Sequence, residues 1–154
     1  MPSALTLAAK LPESLVIAAD VSSAALLLAA ENVNGLSNVV LVQSDLLTPF
    51  HGPFDVICAN LPYIATGEMN ILEVAHFEPH IALDGGSDGL VLIRRLLEQA
   101  PTRLAIPGLL LMEHGADQGP AVEALAKAAF PHAAVSIIKD YAGLDRVVRV
   151  EQSS

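Results

Sequence analysis

Along the chain, short apolar runs alternate with stretches whose apolar positions recur every three or four residues, and Gly, Pro, Asn or Asp stand at the joins. Residues 3–11 (SALTLAAKL) carry the helical pattern, and Leu15–Ala19 (LVIAA) reads as a short buried strand. Ser22 is placed to cap a helix through AALLLAAENV, which Asn34-Gly35 terminates. Asn38–Val42 is the next strand, followed by a turn-rich stretch from Ser44 to Pro53. Phe54–Cys58 is the third, leading into Asn60-Leu61-Pro62-Tyr63. An irregular segment broken by Pro79 and Gly85-Gly86 runs on to Ser87. The pattern then predicts helix over Asp88–Gln99, strand over Gly108–Met112, helix over Asp117–Ala129, and strands over Ala134–Ile138 and Arg146–Val150.

Nearly all-apolar strands alternating with helices predict a parallel sheet covered on both faces. The last two strands are joined only by Asp140–Asp145. A parallel crossover needs about a dozen residues, so this pair is expected to be antiparallel. The fold class is therefore α/β, mostly parallel with a C-terminal antiparallel strand.

Composition narrows the function. At 154 residues, 53% hydrophobic and 16% charged, the chain has the length of one domain and excludes disorder and coiled coil. No apolar run approaches the roughly 20 residues of a membrane span. Met1-Pro2-Ser3 has no basic cluster and Lys10 interrupts the apolar stretch behind it, so no secretory signal is expected. Eight basic against seventeen acidic residues, net −9, oppose nucleic acid as a partner. The lone Cys58 excludes an internal disulfide and a cysteine-based zinc site, and fits a cytoplasmic protein.

In such a sheet the ligand crevice lies beyond the carboxyl ends of the strands, and three polar signals fall there. Asp20 follows the first strand: it reads as an acceptor for two ribose hydroxyls or as a helix cap beside Ser22 and Ser23. Asp45 ends the second, as an acceptor for an adenine amino group or as a turn residue. Asn60-Leu61-Pro62-Tyr63 leaves the third. Pro62 biases Leu61 to an extended backbone, which can aim the Asn60 amide oxygen and the Leu61 carbonyl at one planar NH2 group with Tyr63 packed against it; a plain Pro-containing turn is the other reading.

Residues 54–64 (FDVICANLPYI) resemble the fourth-strand motif of amino-group methyltransferases, usually Asn-Pro-Pro-Tyr. Residues 77–90 (FEPHIALDGGSDGL), Leu109–Gly115, Asp117-Gln118 and Asp140–Val148 are similar to one branch, the peptide chain release factor glutamine methyltransferases. The resemblance runs from Leu5 to Val150 and implies a Rossmann-like class I methyltransferase sheet. It implies methyl transfer from S-adenosylmethionine to a glutamine side-chain amide, in a Gly-Gly-Gln loop of a translation release factor. It also implies Asp20 on the ribose, Asp45 and Leu46 around the adenine, and Asn60, Leu61, Pro62 and Tyr63 at the amide, with Asn60 also bordering the cofactor and no metal.

Leu61 stands where that motif has its first Pro, but it supplies the same backbone carbonyl. Leu5–Leu11 matches the helix that follows the family's first strand and Gly-rich turn, so residues 1–154 read as a truncated methyltransferase catalytic domain without them. The sheet is then expected to be interrupted between the strands near residues 15–19 and 54–58, with unpaired edges open to self-association, and the chain to bind S-adenosylmethionine weakly without turnover. The alternatives are a non-catalytic remnant that binds a partner protein, and a methyltransferase for a ribosomal-protein glutamine or a nucleic-acid amino group. Gly85-Gly86-Ser87-Asp88-Gly89 fits a hydrolase pattern, but reads better as a turn with Ser87 or Asp88 capping the next helix. His76 and His80 have a metal spacing that Pro79 breaks.

Overall fold

The computed structural model describes residues 2–33, 35–67 and 83–153. The element order is α1 (Pro2–Lys10), β1 (Val16–Asp20), α2 (Ser23–Asn32), β2 (Val39–Gln43), β3 (Phe54–Asn60), α3 (Val91–Gln99), β4 (Leu104–Glu113), α4 (Gly119–Ala129), β5 (Ala134–Lys139) and β6 (Asp145–Gln152). The α/β alternation follows the hydrophobic pattern. Residues 68–82, with His76, Pro79 and His80, lie outside the described residues.

The strands form two sheets. β1 and β2 pair in parallel, Val16 opposite Val39 through Asp20 opposite Gln43. The other sheet has the order β3-β4-β6-β5. β3 and β4 are parallel, while β6 runs antiparallel to both β4 and β5. Among the described residues β1 and β3 each have one hydrogen-bonded neighbour.

Two compact units follow this division, residues 1–50 and residues 51–154. The first buries small side chains, Ala8 on α1, Ala18 on β1 and Ala29 on α2. The Asn38 side-chain amide ties it together: Nδ2 donates to the carbonyls of Ala8, Leu11 and Ser14 at 3.1, 3.0 and 2.9 Å. The second unit has the larger core. Ile93 on α3, Leu110 and Met112 on β4, Val122 on α4, and Val148 and Val150 on β6 are fully buried. On α3 the buried residues are Ile93, Leu96 and Leu97, the three-and-four spacing of a helix face against a sheet.

Three elements start two or more residues away from the sequence expectation. α3 starts at Val91 rather than Asp88, because Gly89 has φ +72° and cannot continue a right-handed helix. α4 starts at Gly119 rather than Asp117, because Gln118 occupies the cap position. β4 begins at Leu104, four residues before Gly108: Phe54 pairs with Leu104 and Val56 with Leu109, and the register shift between them accommodates Pro107, which has no N–H for the ladder.

Candidate functional site

In the first unit, Asp20 and Gln43 end neighbouring parallel strands side by side, at the carboxyl edge where such sheets bind ligands. Asp20 is not the helix cap. Ser22 holds that position, its Oγ accepting from the Ala25 N–H at 3.2 Å. The Asp20 carboxylate instead receives the Ser22 N–H on Oδ1 at 2.9 Å, which orients it. Its backbone carbonyl accepts from the Ser44 N–H at 3.0 Å, and Gln43 Nε2 donates to the Val21 carbonyl at 3.1 Å, so the ends of the two strands are tied together.

Asp45 is exposed, one residue beyond buried Ser44. Leu46 has φ 52°, the left-handed region that costs a side-chain-bearing residue roughly 1–3 kcal/mol. Ser44 Oγ donates to the Leu46 carbonyl at 3.1 Å and holds that turn. A carboxylate with one oxygen oriented by Ser22 thus stands beside a turn that displays Asp45 and strains Leu46. Gln43 and Ser44 support this edge and carry no sequence signal of doing so.

In the second unit, Asn60 ends β3 opposite Glu113 of β4. The Asn60 side chain is exposed. Neither its amide nor the Leu61 carbonyl is engaged in a hydrogen bond among the described residues, so two acceptors are uncommitted where the chain leaves the sheet. Pro62 and Tyr63 are half-buried. Tyr63 lines an open depression of about 200 Å3 with Ile64, Asp88, Gly115, Asp117 and Gln118.

The Gly85–Gly89 segment forms the wall behind this loop. Ile64 forms a parallel bridge with Asp84, the Ile64 N–H donating to the Leu83 carbonyl at 3.1 Å and the Gly85 N–H to the Ile64 carbonyl at 2.8 Å. Ser87 is exposed on a turn, not after a buried strand as a hydrolase nucleophile requires. Asp88 receives the Leu90 N–H at 3.1 Å and pairs with Arg94 at 2.6 Å, so it steadies the start of α3 from outside the helix. The Arg94 guanidinium foremost, and the Leu90 N–H, hold its carboxyl below the usual carboxylate range. Among the described residues no three His, Cys, Asp or Glu side chains are grouped to hold a metal ion, and no helix is long and apolar enough to cross a membrane.

No family model matches the sequence. The release factor glutamine methyltransferase of Moorella thermoacetica is 45% identical over 148 residues, 93% of this chain and 52% of that protein. The chain thus spans about half the length of the curated relatives it matches. Among solved structures, the ribosomal protein L11 methylase of Lactobacillus delbrueckii subsp. bulgaricus superposes with a TM-score of 0.70 at 20% identity, covering 99% of this chain and 65% of that one. The release-factor-specific protein-(glutamine-N5) methyltransferase of Alicyclobacillus acidocaldarius superposes with a TM-score of 0.51 at 21% identity, over 90% of this chain and 79% of that one. With α/β topology, polar strand ends and this similarity together, the chain is a homologue of the release factor glutamine methyltransferases with the Rossmann-like α/β fold of the class I methyltransferases.

Proposed function

We propose that residues 1–154 form a methyltransferase catalytic domain that transfers a methyl group from S-adenosylmethionine to a glutamine side-chain amide of a translation release factor. The observation that carries this reading is the loop Asn60–Tyr63. It leaves a strand with two acceptors that make no hydrogen bond among the described residues, in a chain 45% identical to an enzyme named for this substrate.

An amide nitrogen is a poor nucleophile because its lone pair is delocalised into the carbonyl. Asn60 Oδ1 and the Leu61 carbonyl take its two N–H groups, orienting the nitrogen and stabilising the positive charge that develops on it as the new bond forms. Neither group is a strong base, and the proton leaves after the bond has formed. Tyr63 packs against the amide plane. Asp20 holds the ribose hydroxyls, and Asp45 with Leu46 borders the adenine. When bound, S-adenosylmethionine supplies an electrophilic sulfonium methyl. Asn60 also borders that cofactor.

The test is to incubate the chain with methyl-labelled S-adenosylmethionine and, separately, a release factor, ribosomal proteins and a single-stranded oligonucleotide. Methylated glutamine in the Gly-Gly-Gln peptide of the release factor supports this reading and overturns the expectation of weak binding without turnover. Label confined to a ribosomal protein or the oligonucleotide would replace the substrate, and absence of both binding and transfer would leave the protein-binding remnant.

A further inference from the structure

We propose that Gln118 is a positioning residue that clamps the Asn60–Tyr63 loop to the end of β4; its consequence for catalysis rests on the methyl-transfer reading above. The loop has two anchors in the ladder, Asn60 opposite Glu113 and Ile64 bridged to Asp84. Between them the Tyr63 carbonyl accepts from Gln118 Nε2 at 2.9 Å.

The orientation of the Gln118 amide is dictated by its neighbours. The Gly115 N–H donates to Oε1 at 2.9 Å, and a carbonyl facing the other end admits only the NH2 group. One side chain thus bridges the turn after β4 and the loop after β3, across 55 residues of sequence. Its own N–H donates to the Gly115 carbonyl at 3.0 Å, and His114 Nδ1 lies 2.8 Å from that same oxygen, so the clamp stands on a fixed base.

The opposite wall leaves the loop no slack. A Cβ on Gly85 would lie 2.9 Å from the Pro62 carbonyl oxygen. On Gly89 it would meet the Tyr63 carbonyl oxygen and lie 2.5 Å from Gln118 Nε2. Glycine is required at both because backbone packs directly on backbone. The loop carbonyls are therefore confined by Gln118 and by Gly85–Gly89 together. A misplacement of about 1 Å costs on the order of a hundredfold in rate, which is the margin this clamp protects.

Gln118→Glu and Gln118→Met separate the clamp from general packing. Glutamate keeps an acceptor for Gly115 but turns a second acceptor on the Tyr63 carbonyl; methionine keeps the bulk and loses both bonds. Backbone amide exchange, read by mass spectrometry on the full chain, is expected to rise about tenfold in the peptide spanning residues 60–66 in both variants and to stay unchanged in β6. At about pH 5 the glutamate variant should move back towards wild type while methionine does not, since a carboxyl with an ordinary value of about 4.3, raised by the facing carbonyl, regains a proton to donate. Methyl transfer to a release factor should fall about ten- to a hundredfold in kcat with donor affinity unchanged. Unaltered loop exchange, a rise spread equally over β6, or wild-type kcat in either variant overturns the proposal. Raised loop exchange in variants of a chain that methylates nothing upholds the clamp and removes the methyl-transfer reading.

Discussion

Asn60 and Glu113 are register partners at the ends of the parallel strands β3 and β4. The ladder therefore fixes the backbone of Asn60 while its exposed side chain makes no hydrogen bond among the described residues. Asn60→Ala should lower methyl transfer by about a hundred- to a thousandfold, the loss seen when one oriented electrostatic group is removed from a reacting centre. Stability should move by less than about 0.5 kcal/mol, as for other exposed positions. Parallel transfer assays and thermal melts check both, and a wild-type rate would show that the amide site lies elsewhere.

Leu61→Pro is expected to preserve or raise the rate. The Leu61 carbonyl stays, and the ring stiffens the loop where it leaves the ladder. Asn60 is already in extended strand conformation, which a following proline favours. Steady-state kcat against a release factor decides it.

Asp20→Ala should weaken S-adenosylmethionine binding by about ten- to a hundredfold, the size of a lost charged hydrogen bond of about 1.5–3 kcal/mol. Because Ser22 rather than Asp20 caps α2, helix content should not change. Calorimetric titration with circular dichroism on the same sample measures the two effects. Equal affinity would remove Asp20 from the nucleoside site.

Asn38→Ala should destabilise the first unit by about 1–3 kcal/mol, because three backbone carbonyls at the end of α1 lose their common donor. Amide exchange should rise in residues 2–20 and leave β4 and β6 unaffected, since Asn38 and all three acceptors lie in the first unit.

Asp140 sets a pH dependence in the turn between β5 and β6. The Leu144 N–H first, then the Ala142 N–H and the Arg146 guanidinium, hold its carboxyl below the ordinary value. A depressed folded-state value stabilises above the unfolded value of about 3.9, and this contribution disappears as pH falls through the folded one. Asp140→Asn should therefore lower Tm at neutral pH, with the difference closing in acid. Melts across that range test it, and a constant difference would refute the assignment.

Much of this was decided by the sequence alone. Apolar runs of four or five residues between helical repeats determine β1, β2 and β3, since each must bury its side chains whatever the neighbouring strand is. The short Asp140–Asp145 connection forces β5 and β6 antiparallel, because no crossover fits in it. Asn60-Leu61-Pro62-Tyr63 and residues 77–90 were enough to point to the methyltransferase branch. Local pattern could not decide where α3 begins, because a glycine admits either sign of φ and only the folded chain shows that Gly89 takes the positive one. Ser22 at the cap was legible in the sequence, but it could not decide that the Asp20 carboxylate turns to the Ser22 N–H rather than to the helix, a matter of which N–H groups each acceptor reaches. Asn38 and Gln118 were silent in sequence for the same reason. Their partners lie 24 to 30 residues away for Asn38 and 55 away for Gln118, and only the folded chain brings an amide side chain to those carbonyls.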